Sequence, residues 1–446
     1  MLSTPDSIRT LQRKLYAKAK QEPGYRFYAL YDKVWRADVL AFAWRLVRAN
    51  KGSPGVDGVN FEDIEQKTGV ESFLAALAQD LKEKTYKPDP VRRVMIPKAS
   101  GGMRPLGIPT IRDRVAQQAS KLVIEPILDA DFCDTSYGFR PKKTAQDAID
   151  DIADKVWKGY TQVIDADLSK YFDTIPHEKL LKTVAERIVD GGILHLIKMW
   201  LKAPVIGEDS DGARRNVGGG KAASKGTPQG GVISPLLSNC YLHLLDRIWQ
   251  RHRFEEKLGA RIVRYADDFV VLCRRDADME EVRGRIDYVL SRLELTLNEE
   301  KTRTVDARTE GFNFLGFTIK LCKSRKSGRA YPHVCPSDKA FAKIRQEVKT
   351  LTARERTMIP LQDVVKSVNA AVRGWCNYFH HRNCTTVMRK LGTFVSNRLR
   401  IHLCKRHKVK NFRSGFLRFP YKDLHDRYGL YKVPTRAPWK SAHAVA

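Results

Sequence analysis

The chain has 446 residues, 42% hydrophobic and 29% charged, a globular balance with more sequence than one core usually holds, so two or three domains are expected. No run approaches the roughly 18 to 20 apolar residues of a membrane-crossing helix, and the opening Met-Leu-Ser-Thr-Pro-Asp-Ser has no basic patch or apolar run of a secretory signal, so a cytoplasmic setting is expected. The eight cysteines, at 133, 240, 273, 322, 335, 376, 384 and 404, show no Cys-x-x-Cys pair or zinc spacing, and the net charge of +29 exceeds what solubility needs.

In chain order, residues 7 to 50 read as two helices broken at Pro23-Gly24, the second carrying Val34, Leu40, Trp44 and Val47 at near-helical spacing. From about 90 to 330, short β-rich runs alternate with amphipathic helices, as in an α+β core. The clearest strands are Val91 to Pro97, Tyr160 to Asp167, Arg261 to Cys273 and Phe312 to Leu321. Residues 207 to 224, Gly-rich and polar, read as a mobile hairpin or loop, and Gly220-Lys221-Ala222 lacks the spacing of a nucleoside-triphosphate P-loop. After 330 the strands are expected to stop. Ser337 caps a helix with Phe341, Ile344, Val348 and Leu351 on one side, and further helices are expected at 361 to 381, with Val364, Val368, Val372 and Trp375 inward, and at 385 to 403, with Met388, Leu391, Val395 and Leu399 inward.

The charge is regional. From residue 301 onward 32 Lys and Arg stand against 8 Asp and Glu, leaving 48 against 43 before it. Between Asp363 and Asp423 no acidic residue occurs, while Arg373, Arg382, Arg389, Lys390, Arg398, Arg400, Lys405, Arg406, Lys408, Lys410 and Arg413 are mixed with Trp375, Tyr378, Phe379, Phe394 and Phe412. Such a segment suits a phosphate backbone with bases or sugars on aromatics better than a solvated face, which mixes both signs, or a membrane.

The sharpest signal is Tyr265-Ala266-Asp267-Asp268, two acids interrupting two apolar β-prone runs, the pattern of a hairpin whose turn carries both carboxylates. Alone, this fits an exposed hairpin tip. A second acidic strand end changes the weighing: Gln162-Val163-Ile164-Asp165-Ala166-Asp167-Leu168 runs into a polar turn and then Tyr171-Phe172-Asp173. Side by side, the two place Asp167 with Asp267 and Asp268, where like charges call for divalent cations between them. Two magnesium ions roughly 3.5 to 4 Å apart are the arrangement of nucleotidyl transfer, with manganese as a substitute. The Leu168 carbonyl completes a ligand set, and Asp165, alternating with Asp167, faces away.

Tyr-Ala-Asp-Asp resembles the catalytic motif of reverse transcriptases, and further motifs of that family follow the same order along most of the chain. Lys98 and Arg104, in Ile-Pro-Lys-Ala-Ser-Gly-Gly-Met-Arg-Pro, look like the residues that hold the incoming dNTP, and two cations beside a Gly-Gly turn suit a phosphate cradle. Ser136-Tyr137-Gly138-Phe139-Arg140-Pro141 is similar to an insertion of the intron-encoded branch, and Gly226-Thr227-Pro228-Gln229-Gly230-Gly231 to the motif lining nucleotide and template. The resemblance implies nucleotide contacts at Gln229 and Gly230 and nucleic-acid contacts at Arg140 and Tyr265. It makes Phe172 the gate against a 2′ hydroxyl, Lys301 the proton donor to pyrophosphate, and Phe314-Leu315-Gly316-Phe317 the primer grip.

Arg373-Gly374-Trp375-Cys376-Asn377-Tyr378-Phe379 resembles the maturase-specific domain of group II intron proteins. The resemblance implies a right-hand polymerase: an N-terminal helical extension (1–60), fingers and palm with an antiparallel palm sheet (61–330), an all-helical thumb and RNA-binding domain (331–425) and a short tail (426–446). Arg373, Trp375, Arg389, Lys390, Arg398, Lys405 and Arg406 are then expected on intron RNA. Partners would be an RNA template, a DNA primer or target and dNTPs, with a homodimer open. No Cys-rich nuclease segment follows the basic helices, so second-strand cleavage is not expected of these residues. Three alternatives stay open: an intron-free relative in repair or phage defence, an RNA-binding splicing factor without polymerase use, and an RNA-dependent RNA polymerase, against which Phe172 and Ala266 argue.

Overall fold

Helix starts follow local chemistry. Thr110, Asp190, Asp278 and Ser337 each place a side-chain oxygen on first-turn N–H groups of helices Ile111–Asp131, Gly191–Leu201, Met279–Arg292 and Asp338–Leu351, satisfying donors that the helix itself leaves unpaired. The computed structural model describes residues 2–97, 101–208 and 214–436. Its strands are β1 (Val91–Pro97), β2 (Met103–Ile108), β3 (Gln162–Ala166), β4 (Val205–Glu208), β5 (Arg214–Gly218), β6 (Ala260–Tyr265), β7 (Asp268–Cys273), β8 (Arg303–Asp306), β9 (Phe312–Phe314), β10 (Phe317–Lys323) and β11 (Ala330–Pro336). They form three sheets, ordered β2-β1-β4-β5, β6-β7-β3-β8 and β11-β10-β9.

Two compact units divide the chain: Met1–Thr144 with Ala166–Val271 and Ala277–Arg303, and Ala145–Asp165 with Leu272–Asp276 and Thr304–Ala446. In the first, Ile111–Asp131 is buried on most of its circumference, with helices Asp6–Gln21 and Ala37–Asn50 packed on it. β1 pairs antiparallel with β2, from Arg92 opposite Ile108 to Pro97 opposite Met103, and parallel with β4. The Gly-rich stretch is in part ordered strand: β4 and β5 pair antiparallel as a hairpin on this sheet, around residues outside those described.

In the second unit, helices Asp338–Leu351, Leu361–Phe379 and Thr385–Arg406 enclose Val348, Val368, Val372, Leu391, Val395 and Leu399, all buried, at the three-to-four-residue spacing of an apolar stripe. The expectation that strands stop at 330 is corrected by β11, which pairs with β10 from Phe317 opposite Pro336 to Lys323 opposite Ala330. Pro332 and Pro336 weaken a strand reading, and β11 is an edge strand, the place in a sheet where a missing N–H is tolerated.

One polar network ties three distant segments of the first unit together. Asn239 and Asp246 lie seven residues apart on helix Ser234–Arg251, hence on one stripe, and both bind Arg264 on β6. Both charged side chains are fully buried. Arg264 Nε donates to Asp246 Oδ1 at 3.0 Å, and Nη2 donates to Asp246 Oδ2 at 2.5 Å and to Ser136 Oγ at 2.7 Å. Nη1 donates to Asn239 Oδ1 at 3.0 Å and to the Ala266 carbonyl at 2.9 Å. All five guanidinium N–H groups are therefore used. Asn239 Nδ2 donates to the Gly138 carbonyl at 2.6 Å, and the Tyr137 N–H donates to the Arg264 carbonyl at 2.8 Å. A Cβ on Gly138 would stand 2.8 Å from the Tyr265 carbonyl carbon and collide with the Ala266 nitrogen.

Removing one partner of a buried pair leaves an uncompensated charge, so Asp246→Asn is expected to destabilise the protein by about 3 to 5 kcal/mol. Urea unfolding followed by circular dichroism checks this; a midpoint equal to the parent's would rule the pair out as a structural mainstay.

Candidate active site

The hairpin that the sequence announces is present. β6 and β7 are joined by Ala266 and Asp267, with Ala266 in the left-handed region at φ 59° and its carbonyl held by Arg264. Asp267 is partly buried and Asp268, at the head of β7, is exposed. Burial pushes the Asp267 carboxyl above its ordinary pKa, Asp167 adds to that rise, and the Arg104 guanidinium opposes it. Asp167 directly follows β3, the strand beside β7.

The segment after β3 is pinned by an antiparallel bridge between Leu168 and Leu297. Its hydrogen bonds run from the Asn298 N–H to the Asp167 carbonyl at 2.7 Å and from the Ser169 N–H to the Thr296 carbonyl at 2.9 Å. The bridge thus uses the flanking residues and leaves the Leu168 carbonyl on the opposite side of the segment. Lys301 Nζ reaches Asp167 Oδ2 at 2.9 Å. That bond raises the Lys301 pKa, with Asp167 and Asp268 adding by charge. Asp167, Asp267, Asp268 and Lys301 therefore form one electrostatic neighbourhood.

The donor chemistry fits a divalent cation: hard carboxylate oxygens, one of them destabilised as an anion by burial and a like charge, beside a strand-end carbonyl. Among the described residues no three His, Cys, Asp or Glu side chains are already drawn into a closed ligand set. Lys301 is the countercharge on Asp167 here.

On the strand side, Arg104 Nε donates to Gln229 Oε1 at 2.7 Å, and the Gly107 N–H donates to the Gln229 carbonyl at 2.5 Å. Gly230, at φ 113°, lies so close to β2 that a Cβ would collide with the Gly107 carbonyl and stand 3.1 Å from Leu106 Cδ1. Phe172 is buried, and its carbonyl accepts the Thr227 N–H at 2.7 Å. A cleft of about 380 Å³ opens among Arg93, Gly107, Asp173, Lys225, Gly226 and Gln229. Arg104, Gln229, Gly230 and Phe172 are thus drawn to one region, while Lys98 lies outside the described residues.

Other expected contacts divide by burial. The Arg140 side chain is 6% exposed, with Nε donating to Asp129 at 2.7 Å and Nη1 to the Cys133 and Ser136 carbonyls. Tyr265 is half-buried at the end of β6. In the second unit, Phe314, Leu315 and Gly316 form the end of β9 and its turn into β10. Arg373, Arg389, Lys390 and Lys405 are exposed. Trp375, on the inward stripe expected for its helix, is partly buried against the helical core, 4.7 Å from Phe379 between ring centroids. Arg398 donates to Thr352 Oγ1, and Arg406 to the Thr357 and Ile359 carbonyls. Sequence reading missed Arg264 and its partners; its one signal was an arginine inside an otherwise apolar β run. Among the described residues no helix is long and apolar enough to cross a membrane, and the eight cysteines are free.

Residues 96–319 match the family described as reverse transcriptase (RNA-dependent DNA polymerase), and residues 341–419 match the group II intron, maturase-specific domain. Protein YkfC of Escherichia coli (strain K12) is 36% identical across 75% of this chain and 93% of its own length. Group II intron-encoded protein LtrA of Lactococcus lactis subsp. cremoris is 28% identical across 76% of this chain and 62% of its own length. An uncharacterized 91 kDa protein in the cob intron of Schizosaccharomyces pombe (strain 972 / ATCC 24843) is 26% identical across 78% and 50%. The chain spans nearly all of the first relative and less than two thirds of the other two. Matched family by family and carrying its acidic hairpin within the first of the two segments, the chain belongs to the reverse transcriptases that bear a group II intron maturase-specific domain.

Proposed function

We propose that this chain extends a DNA 3′ end on an RNA template and binds a group II intron RNA to assist its splicing and mobility. The observation that carries the reading is the placement of Asp167 at the end of β3 and of Asp267 and Asp268 at the head of the neighbouring strand β7, with Lys301 bound to Asp167. Asp167, Asp267, Asp268 and the Leu168 carbonyl would hold two magnesium ions, with manganese as a substitute. Bound there, the ions supply charge neutralisation at the attacking and leaving oxygens.

The remaining residues have separable tasks. Arg104, seated by Gln229, presents a guanidinium to the triphosphate, and Lys98 is assigned to the same anion. Gly230 lets backbone approach the nascent base pair, and the Phe172 ring limits room beside the sugar. Lys301, now on Asp167, is the cation available to hold or give up a proton at the departing pyrophosphate. Residues 61–330 take the roles of fingers and palm. Residues 331–425 take those of thumb and RNA-binding domain, with Arg373, Arg389, Lys390 and Lys405 exposed toward phosphates. The expected setting is the cytoplasm.

Asp267→Ala is expected to abolish dNTP addition to a DNA primer annealed to RNA in the presence of magnesium; extension at the parent's rate would sink the polymerase assignment. Phe172→Ala is expected to raise ribonucleotide incorporation relative to dNTP by about 10-fold or more, as for other pocket-filling groups. The same change removes a buried ring and should cost about 3 to 5 kcal/mol, so the comparison is made below the variant's melting temperature. Unchanged discrimination in the folded variant would remove Phe172 from the gate.

A further inference from the structure

The turn assigned to the primer rests on the C-terminal end of a maturase-domain helix. β9 and β10 pair with Phe314 opposite Phe317, so Leu315 and Gly316 are the whole loop, at φ 49° and 80°. A leucine in the left-handed region is costly, and such a residue persists where its surroundings hold it. Here the holding groups are two adjacent residues of helix Leu361–Phe379. The Tyr378 hydroxyl donates to the Leu315 carbonyl at 3.1 Å. The Phe379 ring lies so close to Gly316 that an added Cβ would stand 3.1 to 3.2 Å from its carbons. Phe317, just past the turn, stacks on Tyr378 at 5.9 Å and 28° and tilts against Phe379 at 5.1 Å. From the other side the Ser337 N–H donates to the Gly316 carbonyl at 2.8 Å, and Ser337 caps the next helix.

We propose that Tyr378 and Phe379 are positioning residues for the primer 3′ end: they fix the Leu315–Gly316 turn, so the helix bearing Arg373–Phe379 sets primer placement in addition to any contact with RNA. This rests on the reading of Phe314–Phe317 as the primer grip. A packing role alone lowers stability and leaves substrate affinities untouched, whereas a positioning role separates primer binding from nucleotide binding.

The test uses the full chain with a DNA primer on an RNA template, comparing the parent with Tyr378→Phe, Phe379→Leu and Gly316→Ala. Melting temperature, kcat, KM for dNTP, KM for primer–template and affinity for a structured intron RNA are measured. Tyr378→Phe keeps the ring and loses one donor; it is expected to raise the primer–template KM by about 3- to 10-fold, the range of one net hydrogen bond. Its kcat, dNTP KM, RNA affinity and melting temperature should match the parent's. Phe379→Leu should raise the primer–template KM in the same direction. If Gly316→Ala raises that KM while both aromatic variants leave it unchanged, the inference fails and the primer-grip reading survives. If Gly316→Ala also leaves it unchanged, the grip reading falls and the inference with it. A parallel loss of structured-RNA affinity in Tyr378→Phe would make Tyr378 a direct nucleic-acid contact and overturn the positioning role.

Discussion

The Arg264–Asp246 pair is the constraint on which the acidic hairpin depends. Burying two opposite charges costs several kcal/mol per ion, so such a pair contributes little net stability even when every hydrogen bond is made. Its contribution here is directional. A guanidinium with five donors in a fixed plane accepts only one arrangement of Asp246, Asn239, Ser136 and the Ala266 carbonyl around it. Apolar packing would let β6 slide against helix Ser234–Arg251, and a one-residue slip would invert every side chain of the hairpin. The network forbids that slip. It also seats Gly138 against the turn, which explains why a residue without a Cβ occurs there.

Fixing the backbone lets the turn carry charges that repel one another. Asp267 is held partly buried near Asp167, an unfavourable placement for two anions, and besides Arg264 on the hairpin itself, opposing cations come from elsewhere: Arg104 from β2 acts on Asp267, and Lys301 from the loop before β8 binds Asp167. Charge balance at the site is therefore a property of three chain segments together, and Arg104 is shared, since Gln229 also binds it. Both outside cations, Arg104 and Lys301, are on exposed side chains, so the charge at the site can be rebalanced without moving its backbone.

The sequence disclosed those parts whose signal is local. Two acids between apolar β runs marked the hairpin, and an acid at the end of a third run marked Asp167. Ser337 marked a cap that the structure contains. Features set by tertiary contact were hidden. Arg264 looks solvent-facing by residue type, and its partners lie 18 and 25 residues away on a helix. Arg140 was expected on nucleic acid from the motif's resemblance alone, and a motif does not show that its guanidinium is bound by Asp129 and two carbonyls. β11 was obscured by prolines that only an edge position tolerates. Among the aromatics of the basic segment, helical spacing put Trp375 on the inward stripe with Val364, Val368 and Val372, and Trp375 packs against the helical core; Phe379, one turn on, packs there too without such a signal.

The same division bears on the positive charge of the second unit. Arg398 and Arg406 are turned onto a hydroxyl and backbone carbonyls, and Arg400 onto the Phe419 carbonyl and Asn397. These partners are neutral. Unlike Arg264, whose charge Asp246 offsets, these arginines bind neutral groups at the helical core, so none of these partners offsets their charge. Arg382, bound to Asp150, is the contrasting case within the same unit. The positive potential of this region is therefore larger than the exposed Arg373, Arg389, Lys390 and Lys405 alone supply. Arginines that hold helices together can steer a phosphate backbone from a distance without touching it, and this long-range part weakens as salt rises.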